Sequence, residues 1–373
     1  MRLVLLLLTG LLSAAVQAAP LEVATFDRRY WPEQLDTPTL FDVASRAEIL
    51  GFARVLHESE ALDEGALAKR LNLRQVNMVA VAALRQRLWQ QLWRNYDLAQ
   101  KSCEQDASFC YVIEHLGDLR QQAEKFEVAA DSFYTAWAGP ARVFHQRYLD
   151  EQLRKAALFP QTSSEIERFS DQERNGDGLN DRLFMLTFEG GPGPATDALT
   201  DYLRRQKLDA TFFVLGNGIQ ARRDKSSIND LRALYQGQCV GILGWEYRSH
   251  AHWQQWQESV MRSAARVQGD LPEQYVPLFR PPYGQRRADS QGFFASQHLQ
   301  VALWDIESQD QSALTAEQSA QRVLSLMLLW RHGVIQFHDN QPKAQAAVAW
   351  LLKNTAQSGI GWEDCKAYAA RQQ

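Results

Sequence analysis

Long hydrophobic runs are nearly absent from this 373-residue chain. Beyond the first dozen residues nothing approaches the about 18 apolar residues that a membrane-crossing helix needs, which excludes a multispan membrane protein. Charge of one sign is lacking too. Forty Lys and Arg stand against 44 Asp and Glu, a net charge of −4, so no basic excess points to nucleic acid. No internal repeat is evident. With 45% apolar and 23% charged residues the composition is that of a globular protein, not of a disordered chain or a coiled-coil rod. Cysteine is scarce: Cys103, Cys110, Cys239 and Cys365 match no zinc-finger spacing.

What is present begins with an export signature. Arg2 precedes a mostly apolar stretch, Leu3 to Leu12, and Val16-Gln17-Ala18 supplies the small residues that signal peptidase reads. Residues 1–18 are therefore expected to be a signal peptide, with cleavage after Ala18 and a periplasmic or secreted product. No membrane span is expected after cleavage. An even cysteine count in an exported chain suggests disulfides, Cys103 with Cys110 and Cys239 with Cys365, against the alternative of four free thiols.

The length suggests about two domains. Residues 20–160 are mostly helical in pattern. Val76, Ala80, Leu84, Leu88, Leu92 and Tyr96 recur every four residues, one apolar stripe along a helix. Trp89 and Trp93 share a helix face and are read as packing residues, with sugar stacking the minor alternative. Gly139-Pro140 breaks the pattern before a last helix at 141–157. Residues 161–181 form a polar linker. Within it Glu173, Asn175, Asp177 and Asp181 place oxygen ligands around Gly176 and Gly178 like a short calcium loop, although a metal-free turn is the default.

From residue 182 to 373 short apolar runs alternate with helical patterns. Leu183–Phe188, Ala210–Leu215, Cys239–Leu243, Leu299–Trp304 and Gly333–Phe337 read as strands. Continuous apolar strands between helices argue an α/β domain, with a parallel sheet closed or nearly closed into a barrel. Chemistry in such barrels sits at the C-terminal strand ends. Glu189, Glu246, His250, Arg280–Gly284, Glu307, Asp310 and His338 all stand there.

The residues at those ends resemble the NodB-homology polysaccharide deacetylases, carbohydrate esterase family 4. Thr187-Phe188-Glu189-Gly190-Gly191-Pro192 is similar to the family's first motif, Thr-Phe-Asp-Asp-Gly-Pro. Glu246-x-x-x-His250 stands for its His-x-x-x-His, and Phe279-Arg280-Pro281-Pro282-Tyr283-Gly284 matches its third motif in full. Trp304 to Asp310 and Ile335-Gln336-Phe337-His338-Asp339 resemble the last two. The resemblance runs from about Arg182 to Trp362. It implies a distorted (β/α) barrel behind an all-α N-terminal domain, and hydrolysis of N-acetyl, less often O-acetyl, groups on a polysaccharide or peptidoglycan-type glycan. Position by position, Glu189 would be the general base, Arg280 its orienting partner and Tyr283 an oxyanion donor. His338 would be the acid, with Glu307 or Asp310 holding its imidazole. Glu246 and His250 would be the metal ligands, for zinc or a similar divalent ion.

Two positions depart from the pattern. Gly190 replaces the metal-binding Asp, and Glu246 replaces the first ligand His. Three readings stay open: a remodelled metal site, a metal-free acid–base site, and a catalytically inactive glycan-binding or assembly-partner module. A protein partner docking on the helical domain is a further possibility.

Overall fold

The computed structural model describes residues 22–158 and 170–371. The expected signal peptide, and residues 161–169 of the expected linker, lie outside the described residues. Five helices come first: α1 (Pro38–Ser59), α2 (Glu64–Leu71), α3 (Met78–Ala99), α4 (Leu116–Lys125) and α5 (Thr135–Leu158). Local chemistry marks their starts. The Thr37, Asp63 and Asn77 side chains each accept a backbone N–H of the first turn, and Pro38 opens α1 where no N–H is needed. The predicted stripe is the inner face of α3, with Leu84, Leu88, Leu92 and Tyr96 buried. Trp89 is buried as well, its Nε1 donating to Glu60 Oε1 at 2.8 Å, so it packs rather than presenting a face to sugar. Helix α5 runs through Pro140 instead of starting after it. A proline's fixed φ is already helical, and near a helix start it removes at most one hydrogen bond.

The second half forms one sheet of nine parallel strands. They are β1 (Glu173–Arg174), β2 (Leu183–Glu189), β3 (Thr211–Leu215), β4 (Cys239–Gly244), β5 (Tyr275–Phe279), β6 (Gln300–Ala302), β7 (Ile306–Glu307), β8 (Gly333–His338) and β9 (Gly361–Trp362). The order is β1-β6-β5-β4-β3-β2-β8-β7, with β9 beside β2. Helices α6 (Thr196–Gln206), α7 (Gly216–Arg223), α8 (Ile228–Leu234), α9 (Trp256–Asp270), α10 (Gln291–Ser296), α11 (Ala316–Trp330), α12 (Lys343–Asn354) and α13 (Cys365–Ala370) complete this half. The architecture is the expected distorted, open (β/α) barrel preceded by helices.

Period-two alternation sorts the strand side chains into two cores. Phe184, Leu186 and Phe188 of β2, Phe212 and Val214 of β3, and Ile335 and Phe337 of β8 belong to the large cluster shared with the helices. Met185, Phe213 and Val334 fall in a second cluster with Leu243, Leu278 and Trp304. Glu189 and His338 continue the Met185 and Val334 faces, and they are register partners. The alternation therefore delivers both to the barrel interior.

The helical region is not a separate body. Its apolar residues belong to that same large cluster. Ser45 Oγ donates to the Leu328 carbonyl at 2.7 Å and Asn95 Nδ2 to the Leu329 carbonyl at 3.0 Å, both on α11. Buried Arg331 reaches Asp42 and Asp181, each at 2.8 Å.

The four oxygen donors of the calcium-loop candidate do not converge as a set of ligands: among the described residues no group of three or more His, Cys, Asp or Glu could hold a metal ion. Glu173 lies in strand β1, buried, and accepts Arg286 Nε at 2.6 Å. Asp181 is held by Arg331, and Asn175 Oδ1 accepts the Asp177 N–H. Gly176 is there for close approach: a Cβ would stand 2.4 Å from the Gly333 Cα. Arg286 and Arg331 neutralise Glu173 and Asp181 of this turn.

Both expected disulfides are present, Cys103–Cys110 and Cys239–Cys365. Their sequence separations are 7 and 126, and loop-closure entropy gives about 2–3 kcal/mol for the short loop and about 5 for the long one. Replacing Cys239 and Cys365 by Ser should therefore lower the unfolding free energy more than replacing Cys103 and Cys110, as read by denaturant unfolding of the two double variants.

Candidate active site

Strand β2 ends on Glu189, which is fully buried, and three elements bring partners to its carboxylate. Tyr247, in the loop after β4, donates its hydroxyl to Oε1 at 3.0 Å. Arg280, just after β5, places Nη1 at 3.5 Å from Oε2. His338, at the end of β8, sets Nε2 at 3.5 Å from Oε1. The other imidazole nitrogen, Nδ1, lies 2.7 Å from Asp310 Oδ1, and the His338 backbone N–H donates to Asp310 Oδ2 at 2.9 Å. Asp310, not Glu307, is thus the residue that holds the imidazole. Glu307 instead pairs with Lys155 of α5 at 2.7 Å.

Arg280 is anchored on all sides. It donates to Thr187 Oγ1 at 2.8 Å and to the Ala302 and Leu303 carbonyls, and its guanidinium lies over the Phe213 ring at 4.1 Å. Tyr283 sits in the turn that follows, with φ +60° and a ring 57% exposed. Its edge-on contact with Tyr247, 4.9 Å between ring centroids, makes an aromatic rim over Glu189.

These neighbours decide the protonation states. Burial pushes the Glu189 carboxyl up, but the His338 imidazole and Arg280 guanidinium outweigh it and hold the group below the usual carboxylate range. Burial would lower His338, yet Asp310 and Glu189 raise it to about 10. At neutral pH the core of the site is an imidazolium between two carboxylates. Burial, reinforced by the Glu189 carboxylate that accepts its hydroxyl, pushes the Tyr247 phenol well above its ordinary value.

The expected metal donors do not assemble. His250 is buried, its Nε2 lies 3.2 Å from Ser259 Oγ, and it packs edge-on against Phe279 and Trp253. Burial lowers its pKa to about 4, so it is neutral, as a ligand must be. A second and third donor are missing. The Glu246 side chain is 46% exposed and faces Arg248 at 3.8 Å. Gly190 offers no side chain, and its φ of +96° is one that L residues rarely adopt. Among the described residues no group of three or more His, Cys, Asp or Glu could hold a metal ion. The residues present do not fit the metal that the family resemblance implies.

Two residues escaped the sequence reading. Tyr247 lies in an irregular loop, where no periodicity tells which way a side chain points. Asp339 is buried beside the site, accepts Thr196 Oγ1 at 2.9 Å, and is raised to about 6 by burial. The fully buried Asp339 of the last motif could have been suspected, since a carboxylate there must find a donor.

Two outcomes follow from this geometry. The purified chain, equilibrated with zinc and desalted, should retain well under one zinc per chain by mass spectrometry. The stability that His338 contributes is complete below its unfolded value near 6.5 and is lost as pH rises through about 10. Thermal unfolding midpoints should therefore fall from pH 7 to 10, and fall less in a His338→Gln variant.

Residues 176–301 match the family model described as polysaccharide deacetylase. The peptidoglycan-N-acetylmuramic acid deacetylase PdaC of Bacillus subtilis is 28% identical over 187 residues, 48% of this chain and 37% of that protein. The peptidoglycan-N-acetylglucosamine deacetylase of Bacillus cereus is 27% identical over 207 residues, 52% of this chain and 71% of that one. A crystal structure of a peptidoglycan N-acetylglucosamine deacetylase is 17% identical, with a TM-score of 0.47, over 52% of this chain and 90% of that one. The chain thus spans little more than a third of the first relative's length. The C-terminal half of this chain is similar to polysaccharide deacetylases, with residues 176–301 matching that family's model.

Proposed function

We propose that this chain is an exported deacetylase of a peptidoglycan-type or related polysaccharide, working through an acid–base pair rather than through a metal. One observation carries the reading: the continuous chain Asp310–His338–Glu189–Arg280 at the strand ends, with contacts of 2.7, 3.5 and 3.5 Å. A carboxylate held ionised beside an imidazolium has both halves of a hydrolytic acid–base cycle. Glu189 takes the proton of an attacking water. The acetyl carbonyl carbon receives the hydroxide, and the Tyr283 backbone N–H faces the developing oxyanion. His338 then protonates the departing glycan oxygen or nitrogen, and acetate leaves. Losing Lewis-acid assistance forfeits several kcal/mol of transition-state stabilisation. An oxygen leaving group needs less of that help than an amide nitrogen, so an O-acetyl group suits this site better than an N-acetyl group. Export is supported by the two disulfides. Among the described residues no helix is long and apolar enough to cross a membrane.

A second reading rests on its own observation. Glu189 is fully buried beneath the hydroxyl of Tyr247, which favours a module that binds the glycan along the Tyr247–Tyr283 rim without turning it over.

Acetate release from O-acetylated xylan and from N-acetylated peptidoglycan, with and without chelator, separates the two. The first reading expects slow, chelator-insensitive release, greater on the O-acetylated substrate, that falls by about 10²–10⁴-fold in Glu189→Gln and His338→Ala. Release abolished by the chelator would contradict it. No release, with glycan binding that weakens in Tyr283→Ala by calorimetry, would support the binding module.

A further inference from the structure

Strand β7 is a weak place to hang a catalytic support. It has two residues, it ends the sheet order, and β8 is its strand neighbour. Short edge strands with one paired side are the first parts of a sheet to open. Yet the turn that leaves β7 delivers Asp310, which grips the His338 imidazole at 2.7 Å and the His338 backbone N–H at 2.9 Å. The turn passes through Gln309 at φ +58°, so it does not hold itself by regular pairing.

The support comes from the N-terminal half. Helix α5 places Glu151 and Lys155 four residues apart, on one face. Lys155 Nζ donates to Glu307 Oε2 at 2.7 Å. Glu151 takes Arg322 of α11 in a two-pronged ion pair, at 2.7 and 3.1 Å, with both side chains buried. Arg322 in turn donates Nε to the Glu307 backbone carbonyl at 2.9 Å. One residue further on, Ser319 Oγ of α11 donates to the Ser308 carbonyl at 2.8 Å, and the Asp310 N–H donates to Ser308 Oγ at 3.3 Å. The side chain and the backbone of Glu307 are both held, and both holds lead back to α5.

We infer that the N-terminal helices act in cis as a clamp on the β7 turn, with Lys155 and Glu151 as positioning residues that keep Asp310 on the His338 imidazole. The helical half thereby has a role at the site that requires no outside partner. The groups facing His338 are Asp310 from this turn, Glu189 from β2 and the neighbouring Asp339, with Arg280 behind Glu189. The Lys155–Glu307 pair acts on His338 through the turn. The inference rests on the assignment of His338 to the site, and its test reads the imidazole directly, so it succeeds or fails whether or not acetate is released.

The full-length chain labelled with ¹⁵N-histidine supplies the readout. The His338 Nδ1–H, bonded to Asp310, should give a far-downfield proton signal protected from solvent exchange. In Lys155→Met the exchange of that proton should quicken on the order of tenfold, while Lys155→Arg keeps it slow. The Lys155–Glu307 pair is about one-fifth exposed on each side, and losing such a pair costs at most about 1 kcal/mol, so the variant should fold with nearly the native melting temperature. Adding Glu151→Gln should broaden the signal further. A folded Lys155→Met chain with the native exchange rate, together with a folded Lys155→Met/Glu151→Gln chain that also keeps it, would overturn the inference. Where acetate release is measurable, Lys155→Met should lower kcat with KM unchanged; a rise in KM alone would also count against the clamp.

Discussion

A guanidinium and a carboxylate facing each other inside a barrel set the terms for everything around them. Arg280 and Glu189 are both fully buried, and neither charge could stay there alone. Removing one member of such a pair costs about 3–5 kcal/mol, because the other is left uncompensated. The barrel interior is accordingly built around them. Thr187 and the Ala302 and Leu303 carbonyls take the guanidinium protons, and the Phe213 ring lies beneath it. Tyr247 and His338 complete the carboxylate. The same arrangement that makes the charges tolerable also sets an acid next to a base.

The departure from the family's metal pattern has a local physical expression. Where a ligand carboxylate would stand there is Gly190, at a backbone angle that excludes most side chains, and its Cβ position faces Asn340 Nδ2 at 3.0 Å. His250, still neutral and buried, has turned its Nε2 to Ser259. Tyr247 closes over Glu189 from the other side. Restoring a metal site would therefore need a change in backbone as well as in side chains. The first-motif turn and the loop after β4 take a different arrangement, in which Glu189 Oε2 and His250 Nδ1 are buried without a hydrogen-bond partner among the described residues.

The helical half and the barrel share one hydrophobic core, and buried ion pairs cross the seam at Arg322–Glu151 and Arg331–Asp42. Charges so placed hold one register between helix α11 and the N-terminal helices, because sliding would strand an arginine in apolar surroundings. The stabilisation of the β7 turn follows from that register. It gives the first half of the chain a structural reason to accompany the second.

Much of this was legible in the residues themselves. The four-residue stripe of α3 and the apolar runs of β2, β3, β4 and β8 are local patterns, and local patterns survive into the fold because burial of one face is what stabilises each element. The even cysteine count pointed to disulfides, and the tertiary structure showed the pairing, Cys103 with Cys110 and Cys239 with Cys365. Strand β5 was missed because Pro277 interrupts its pattern, and β7 because two residues carry no period. At the turn of residues 173–181 the sequence leaves calcium and a metal-free turn open, because the counter-charges of Glu173 and Asp181, Arg286 and Arg331, lie more than 100 residues away. The choice of Asp310 over Glu307, the approach of Tyr247 to Glu189, and the reach of Lys155 to Glu307 belong to the same class. Sequence by itself determined which residues reach the strand ends, since alternation along a strand is a property of the chain. Which of them meet was decided only by the tertiary structure, because a side-chain contact across loops depends on how distant segments pack and no local period encodes it.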